Sequence, residues 1–163
     1  DFRASVRRIQ RHQILVMGSF IIGLDADEPG IGRRIAETAS QYGVDSLNVL
    51  FLTPLPGTRL WEQMKSQNRI ALDAFPDDWK YYTLTFPVAR YKHLSREAIC
   101  EEMIACDQTF YCLPRILRRV WSSLWQRRKP LISLVSSLSY RSNIRVARDA
   151  YATFKRQRGT EYV

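Results

Sequence analysis

No stretch of this sequence approaches the ~20 consecutive apolar residues that a membrane-spanning helix needs. The two longest uncharged runs, His12–Leu24 (with histidine neutral) and Ser46–Thr58, hold 13 residues each and include polar ones. The first residues, from Asp1 to Arg8, lack an apolar core followed by a small-residue cleavage site. The sequence therefore predicts no secretory signal and a cytoplasmic location. The chain also lacks an initiating methionine and opens in what reads as mid-helix, which predicts further sequence upstream. Internal repeats and low-complexity tracts are absent. A composition of 45% hydrophobic and 25% charged residues excludes wholesale disorder.

Cysteine is scarce and poorly spaced for metal. Cys100, Cys106 and Cys112 are six residues apart, so on a helix successive thiols point about 120° away from one another. That suits neither a disulfide nor a ligand set on one helix face, and ordinary reduced, partly buried thiols are expected. His12 and His93 lack carboxylate or thiol neighbours arranged as a site, so no metal ligand is predicted. No serine sits in a nucleophile-elbow pattern. Gly30-Ile31-Gly32 lacks the third glycine and the preceding strand of a dinucleotide fingerprint. No catalytic residue is predicted for this chain.

Acidic residues are almost missing from one end. Residues 1–112 carry 13 Lys/Arg and 14 Asp/Glu, whereas residues 113–163 carry 12 Lys/Arg against only Asp149 and Glu161. The whole net charge of +9 thus comes from the tail.

What is present reads as alternating strands and helices. Ala4–Arg11 resembles a helix end. Ile14–Leu24 is a short, branched-rich apolar run interrupted by Gly18 and Gly23, which suits a strand covered on both faces, as in parallel sheets. Asp27 is expected to cap a helix with Glu28 and Pro29 in its first turn, Ile31, Ile35, Ala39 and Tyr42 on one face, and Gly43 as its stop. Ser46–Leu52 reads as a second strand, Thr53–Gly57 as a rigid turn, and Thr58 as the cap of a helix over 59–67 with Leu60, Trp61 and Met64 buried. From Ile70 to Tyr91 the pattern predicts an irregular connection packed with aromatic rings. Ser95 then caps a helix to about Cys112 with Glu97, Glu101 and Glu102 in its first turns. Pro114 starts a helix to about Arg128, Pro130 breaks it, and Asn143 opens a last one with Val146, Ala147, Ala150, Tyr151 and Phe154 on one face. The expected fold is α/β: a parallel βα piece over residues 1–70 and a mostly helical part over 71–163. Two strands alone make a poor sheet, so further strands upstream, or oligomerisation, are expected.

Ligands in parallel α/β folds bind beyond the C-terminal ends of strands, which directs attention to two loops. Gly23-Leu24-Asp25-Ala26-Asp27 offers close backbone approach and, with Glu28, three carboxylates. Leu52-Thr53-Pro54-Leu55-Pro56-Gly57-Thr58 is a rigid turn that presents fixed backbone donors and acceptors. Gly18 to Asp27, followed by Leu52 to Thr58, resembles the fifth and sixth strands of the partial (βα)6 barrel of radical S-adenosylmethionine (SAM) enzymes, in particular the subgroup with an N-terminal cobalamin-binding domain. Trp79 through His93 to Glu97 and on to Leu117 resembles that subgroup's helical C-terminal domain. The resemblance covers most of residues 10–120. It implies that Phe20, Ile21, Ile22 and Gly23 lie against SAM, that Asp27 stands where the family more often has Glu, and that Leu52, Thr53 and Pro54 give backbone contacts to the adenine. It implies a [4Fe–4S] cluster and cobalamin in the complete enzyme. The family's C-x3-C-x2-C cluster loop is not in this sequence, so the chain alone is expected to be inactive and to need a barrel half or cobalamin domain as partner.

The tail interleaves base and apolar: Arg115, Arg118, Arg119, Arg127, Arg128 and Lys129 around Ile116, Leu117, Val120, Trp121, Leu124 and Trp125. Three readings stand: a packed helix with a solvated basic face, a peripheral contact with an anionic inner membrane surface, or a nucleic-acid contact. The last is disfavoured because the aromatics read as core. A small basic adaptor acting through residues 113–163 is the alternative to the enzyme reading.

Overall fold

The computed structural model describes residues 1–125 and 130–158. Its elements are α1 (Phe2–Arg11), β1 (Met17–Ile22), α2 (Ile31–Tyr42), β2 (Ser46–Phe51), α3 (Arg59–Ser66), α4 (Arg96–Phe110), α5 (Leu113–Trp125) and α6 (Pro130–Arg158), with a short 3-10 turn at Trp79–Tyr81. The fold is α/β and mostly helical around a small parallel sheet.

β1 and β2 pair in parallel, Met17 opposite Ser46 through Ile22 opposite Phe51. Side chains alternate across a strand, so Gly18, Phe20 and Ile22 share one face with Leu47, Val49 and Phe51. That face carries the core. Ile22, Leu47 and Phe51 are buried there with Ile35, Ala36 and Ala39 of α2 and Ile99, Met103, Cys106 and Phe110 of α4. Tyr111, at the end of α4, anchors the helical layer to the sheet: its hydroxyl accepts from Leu47 N at 2.9 Å and donates to Leu47 O at 3.1 Å. The second face is open. Met17 and Ile21 are 53% and 51% exposed, which corrects the expectation of a strand covered on both faces: the described helices pack on the other side.

Capping chemistry set most boundaries. Thr58 Oγ1 accepts from Trp61 N at 3.2 Å and Ser95 Oγ from Ala98 N at 3.0 Å, as the sequence predicts. Gly43 ends α2. Asp27, however, does not cap α2. The helix starts at Ile31 after Gly30, which offers no side-chain cap. The cap comes from α4 instead, where Glu102 accepts from Gly30 N at 2.6 Å and Gly32 N at 2.9 Å. Only Glu97 lies in the first turn of α4, so Glu102 acts on the neighbouring helix's dipole and not on its own. The two helices meet very closely at Gly32, where an added Cβ would lie 1.9 Å from the Glu102 carbonyl oxygen.

The 70–91 connection is irregular and aromatic, as expected. Tyr81, Phe86 and Phe154 form a small cluster, with Tyr81 and Phe154 centroids 4.7 Å apart. α6 begins at Pro130, not at Asn143. Proline is tolerated in a helix's first turn, and residues before Asn143 hold α6 to the core: Leu134 packs against it, and the Tyr140 ring stacks on Tyr111 with centroids 5.3 Å apart. On the face predicted to be buried, Phe154 is buried but Val146 is exposed. Arg127, Arg128, Lys129, Glu161 and the side chain of Trp125 lie outside the described residues. No helix among the described residues is long and apolar enough to cross a membrane.

Asp107 gives the fold a pH dependence. Burial alone pushes its carboxyl up from 3.8 to about 6. The unfolded chain therefore releases this proton more readily than the folded one. Below about pH 4 both states keep the proton and no penalty exists; the penalty grows towards pH 6 and is complete above it. Asp107→Asn is expected to stabilise the chain by roughly 2 kcal/mol at pH 7 and to do little near pH 4. Urea unfolding at both values checks this, and an equal effect at both would refute the desolvation account.

Candidate functional site

The C-terminal ends of β1 and β2 bring the two sequence-predicted loops together. Leu52 N donates to Ile22 O at 2.8 Å, which extends the parallel ladder one residue past β2 and sets Gly23 beside Leu52. On the outer side, Phe51 N donates to Leu84 O at 2.9 Å, so the aromatic connection covers that edge.

Gly23 is the pivot of the first loop. Its φ of +102° is one that side chains rarely adopt, and an added Cβ would lie 2.5 Å from the Tyr91 ring. Asp27 turns back onto this bend: one carboxylate oxygen accepts from Gly23 N at 2.8 Å and Leu24 N at 2.9 Å. Asp27 is thus buried and engaged in shaping the loop. Asp25 points outward and forms a two-pronged pair with Arg69, at 2.6 and 3.2 Å. The Arg69 guanidinium beside it holds the Asp25 carboxyl below the usual range. Of the three carboxylates predicted at the mouth, Glu28 is exposed, while Asp25 and Asp27 are tied to the protein itself.

In the second loop Thr53 and Pro54 are buried, and the Thr53 hydroxyl donates to Phe51 O at 3.1 Å. Leu52 is half-buried, and its carbonyl lies 3.4 Å from the Tyr91 hydroxyl. The predicted site residues therefore divide. Ile21 lies on the open face, Gly23, Leu52, Thr53 and Pro54 form the rim above it, and Phe20 and Ile22 turn into the helical core. Arg69 and Tyr91 were not read from the sequence. Arg69 is a single base after a helix and Tyr91 one of many aromatics in an irregular stretch, so neither carried a local signal.

The thiols are elsewhere. Cys100 and Cys106 are buried on α4, and burial pushes both thiols up to about 12. They lie six residues apart on one helix, and among the described residues no His, Cys, Asp and Glu group is arranged to hold a metal.

Comparison with known proteins gives this rim a chemical context. The chain is similar to methyltransferases. It is 28% identical over 113 residues to an uncharacterized methyltransferase of Pyrococcus horikoshii, covering 69% of this chain and 24% of that protein. It is 27% identical over 120 residues to the bacteriochlorophyllide d C-12(1)-methyltransferase of Chlorobaculum tepidum, covering 74% of this chain and 25% of the relative. A hopanoid C-2 methylase of Rhodopseudomonas palustris is 32% identical over 68 residues, 42% of this chain and 13% of the relative. The chain thus spans about a quarter or less of the length of these curated relatives. No protein-family profile matches it, and no solved structure matches it.

Proposed function

We propose that this chain supplies the adenine side of the SAM site in a radical SAM enzyme that transfers methyl groups. The observation that carries the reading is the rim itself: Gly23 beside Leu52, at the C-terminal ends of two parallel strands, above the open face bearing Ile21. An exposed aliphatic side chain and fixed backbone groups are what a flat nucleobase needs, since the base stacks on one and bonds the other. The methyltransferase and methylase names of the relatives support SAM as the ligand. In this reading residues 1–70 are the end of a partial (βα)6 barrel and residues 71–163 its helical C-terminal domain, with the remaining strands continuing the sheet from the free edge of β1 and curving round the open face.

Within such a site the chain's residues bind and orient. Ile21 lies under the adenine, Leu52, Thr53 and Pro54 present backbone groups, and Asp27 holds Gly23 in its bent conformation. Phe20 and Ile22 support the rim from the core side. A [4Fe–4S] cluster, which supplies the electron that cleaves SAM in this class, does not fit the cysteines present, which are six residues apart. Cobalamin belongs, in the same reading, to a domain outside this chain.

Titration calorimetry of the chain with SAM, beside an Ile21→Glu variant, tests the proposal. Ile21 is exposed, so its replacement leaves the fold intact. Binding that the variant weakens at least about tenfold supports the rim as the adenine side, because a carboxylate forced against a stacked base costs more than 1.4 kcal/mol. Equal binding by both chains would refute it.

A further inference from the structure

At the opposite end of the sheet, four arginines converge on one cavity. Arg3 and Arg7 of α1 and Arg118 and Arg119 of α5 line a cleft of about 400 Å³ together with the end of α2. One carboxylate, Asp45, shares it. One of its oxygens takes Gln10 Nε2 at 2.9 Å and Val16 N at 2.8 Å. Gln10 also bonds the Gly43 carbonyl at 2.9 Å, so acceptors at the end of α2 are engaged as well. Arg115, next to the cleft, is committed to Ser40 Oγ and Ala36 O. Arg3, Arg7 and Arg118 make no ion pair with any described residue. Arg119 is held over the Phe110 ring at 4.2 Å and donates to Phe110 O, while its Nε and Nη2 are buried with no hydrogen-bond partner. Four guanidiniums against one engaged carboxylate make a strongly anion-seeking cleft.

The same helix exposes an apolar stripe beside it. Leu117, Trp121 and Leu124 are 64%, 69% and 54% exposed, which corrects the expectation that these side chains are packed. The helix turns Ile116 and Val120 to the core instead. Arg118 and Ser122, both lining the cleft, follow Leu117 and Trp121 by one residue, about 100° around α5. A phosphate seated in the cleft therefore lies alongside a Trp–Leu ridge. We propose that this end of the molecule docks on an anionic membrane surface, with a lipid phosphate in the arginine cleft and the α5 ridge in the headgroup boundary. Charge complementarity on one side and an interfacial tryptophan on the other are the pairing that such surfaces select. The inference does not depend on the SAM reading.

Co-sedimentation of the full chain with phosphatidylcholine vesicles, with and without phosphatidylglycerol, tests it. The expected result is salt-sensitive binding only where phosphatidylglycerol is present. The exposed replacements Arg3→Gln, Arg7→Gln and Arg118→Gln should each weaken it about fivefold, and about a hundredfold together. Trp121→Ser should weaken it with the cleft intact, and circular dichroism checks that each variant is folded. Unchanged binding by the triple variant would overturn the proposal. So would binding of glycerol 3-phosphate in the cleft with Trp121→Ser inert on vesicles, which would assign a soluble phosphate ester. Preferential capture by single-stranded RNA over the vesicles would overturn it too.

Discussion

Replacing Gly32 with alanine is expected to destabilise the chain by about 2 kcal/mol, although the substitution looks favourable locally. In a helix interior alanine is better than glycine by roughly 1 kcal/mol. Against that stands geometry: the new Cβ would sit 1.9 Å from the Glu102 backbone oxygen. Backbone cannot step aside as a side-chain tip can, so α2 and α4 would have to separate. Separation would open the core between Ala36, Ala39, Ile99 and Met103 and stretch both Glu102 caps on α2. Overpacking alone costs about 1–3 kcal/mol and loss of a cap about 1 more. After the roughly 1 kcal/mol gained locally, a net loss of about 2 kcal/mol remains, a measurable share of the roughly 5–15 kcal/mol that holds a domain of this size. Urea unfolding reads this as a fall in midpoint, and a midpoint at or above that of the parent would sink the close-approach argument.

Gly23→Ala is expected to cost about 3 kcal/mol and to disturb the candidate site at the same time. Two effects combine here. The φ of +102° strains any side chain, at about 1–3 kcal/mol. The added Cβ also meets the Tyr91 ring at 2.5 Å and Ile99 Cδ1 at 2.9 Å. These neighbours are side chains, so part of the clash relaxes by moving Tyr91 off the rim, away from the Leu52 carbonyl. Asp27 would lose the bend that its carboxylate holds. The expected signature is a lowered melting temperature together with weakened SAM binding. Full SAM affinity in a destabilised variant would show that Gly23 serves the fold and not the ligand.

Local chemistry was legible where its cause is local. Thr58 and Ser95 cap their helices because a hydroxyl reaches an amide three residues on, and spacing alone reports that. The two parallel strands follow from branched apolar runs, and the rim loops from the rule that ligands gather at their C-terminal ends. The Asp27 misreading has the same root in reverse. An aspartate before Glu-Pro matches a helix start, but its carboxylate is better placed for the two amides freed by the Gly23 bend. Asn143 misled in a similar way, since a helix-opening residue type was read without the aromatic packing of Tyr140 that keeps α6 continuous.

By itself the sequence determined the alternation of elements, the charge asymmetry and the two loops that follow the strand ends. Those follow from periodicity, capping and composition, which act over a few residues. Only the tertiary structure decided that Glu102 caps α2, that Arg69 pairs with Asp25, that Ile21 faces outward while Ile22 is buried, and that Arg3 and Arg7 stand beside Arg118 and Arg119. Each joins positions far apart in the chain, and such pairings are set by how layers pack around one core, a property that no local pattern carries.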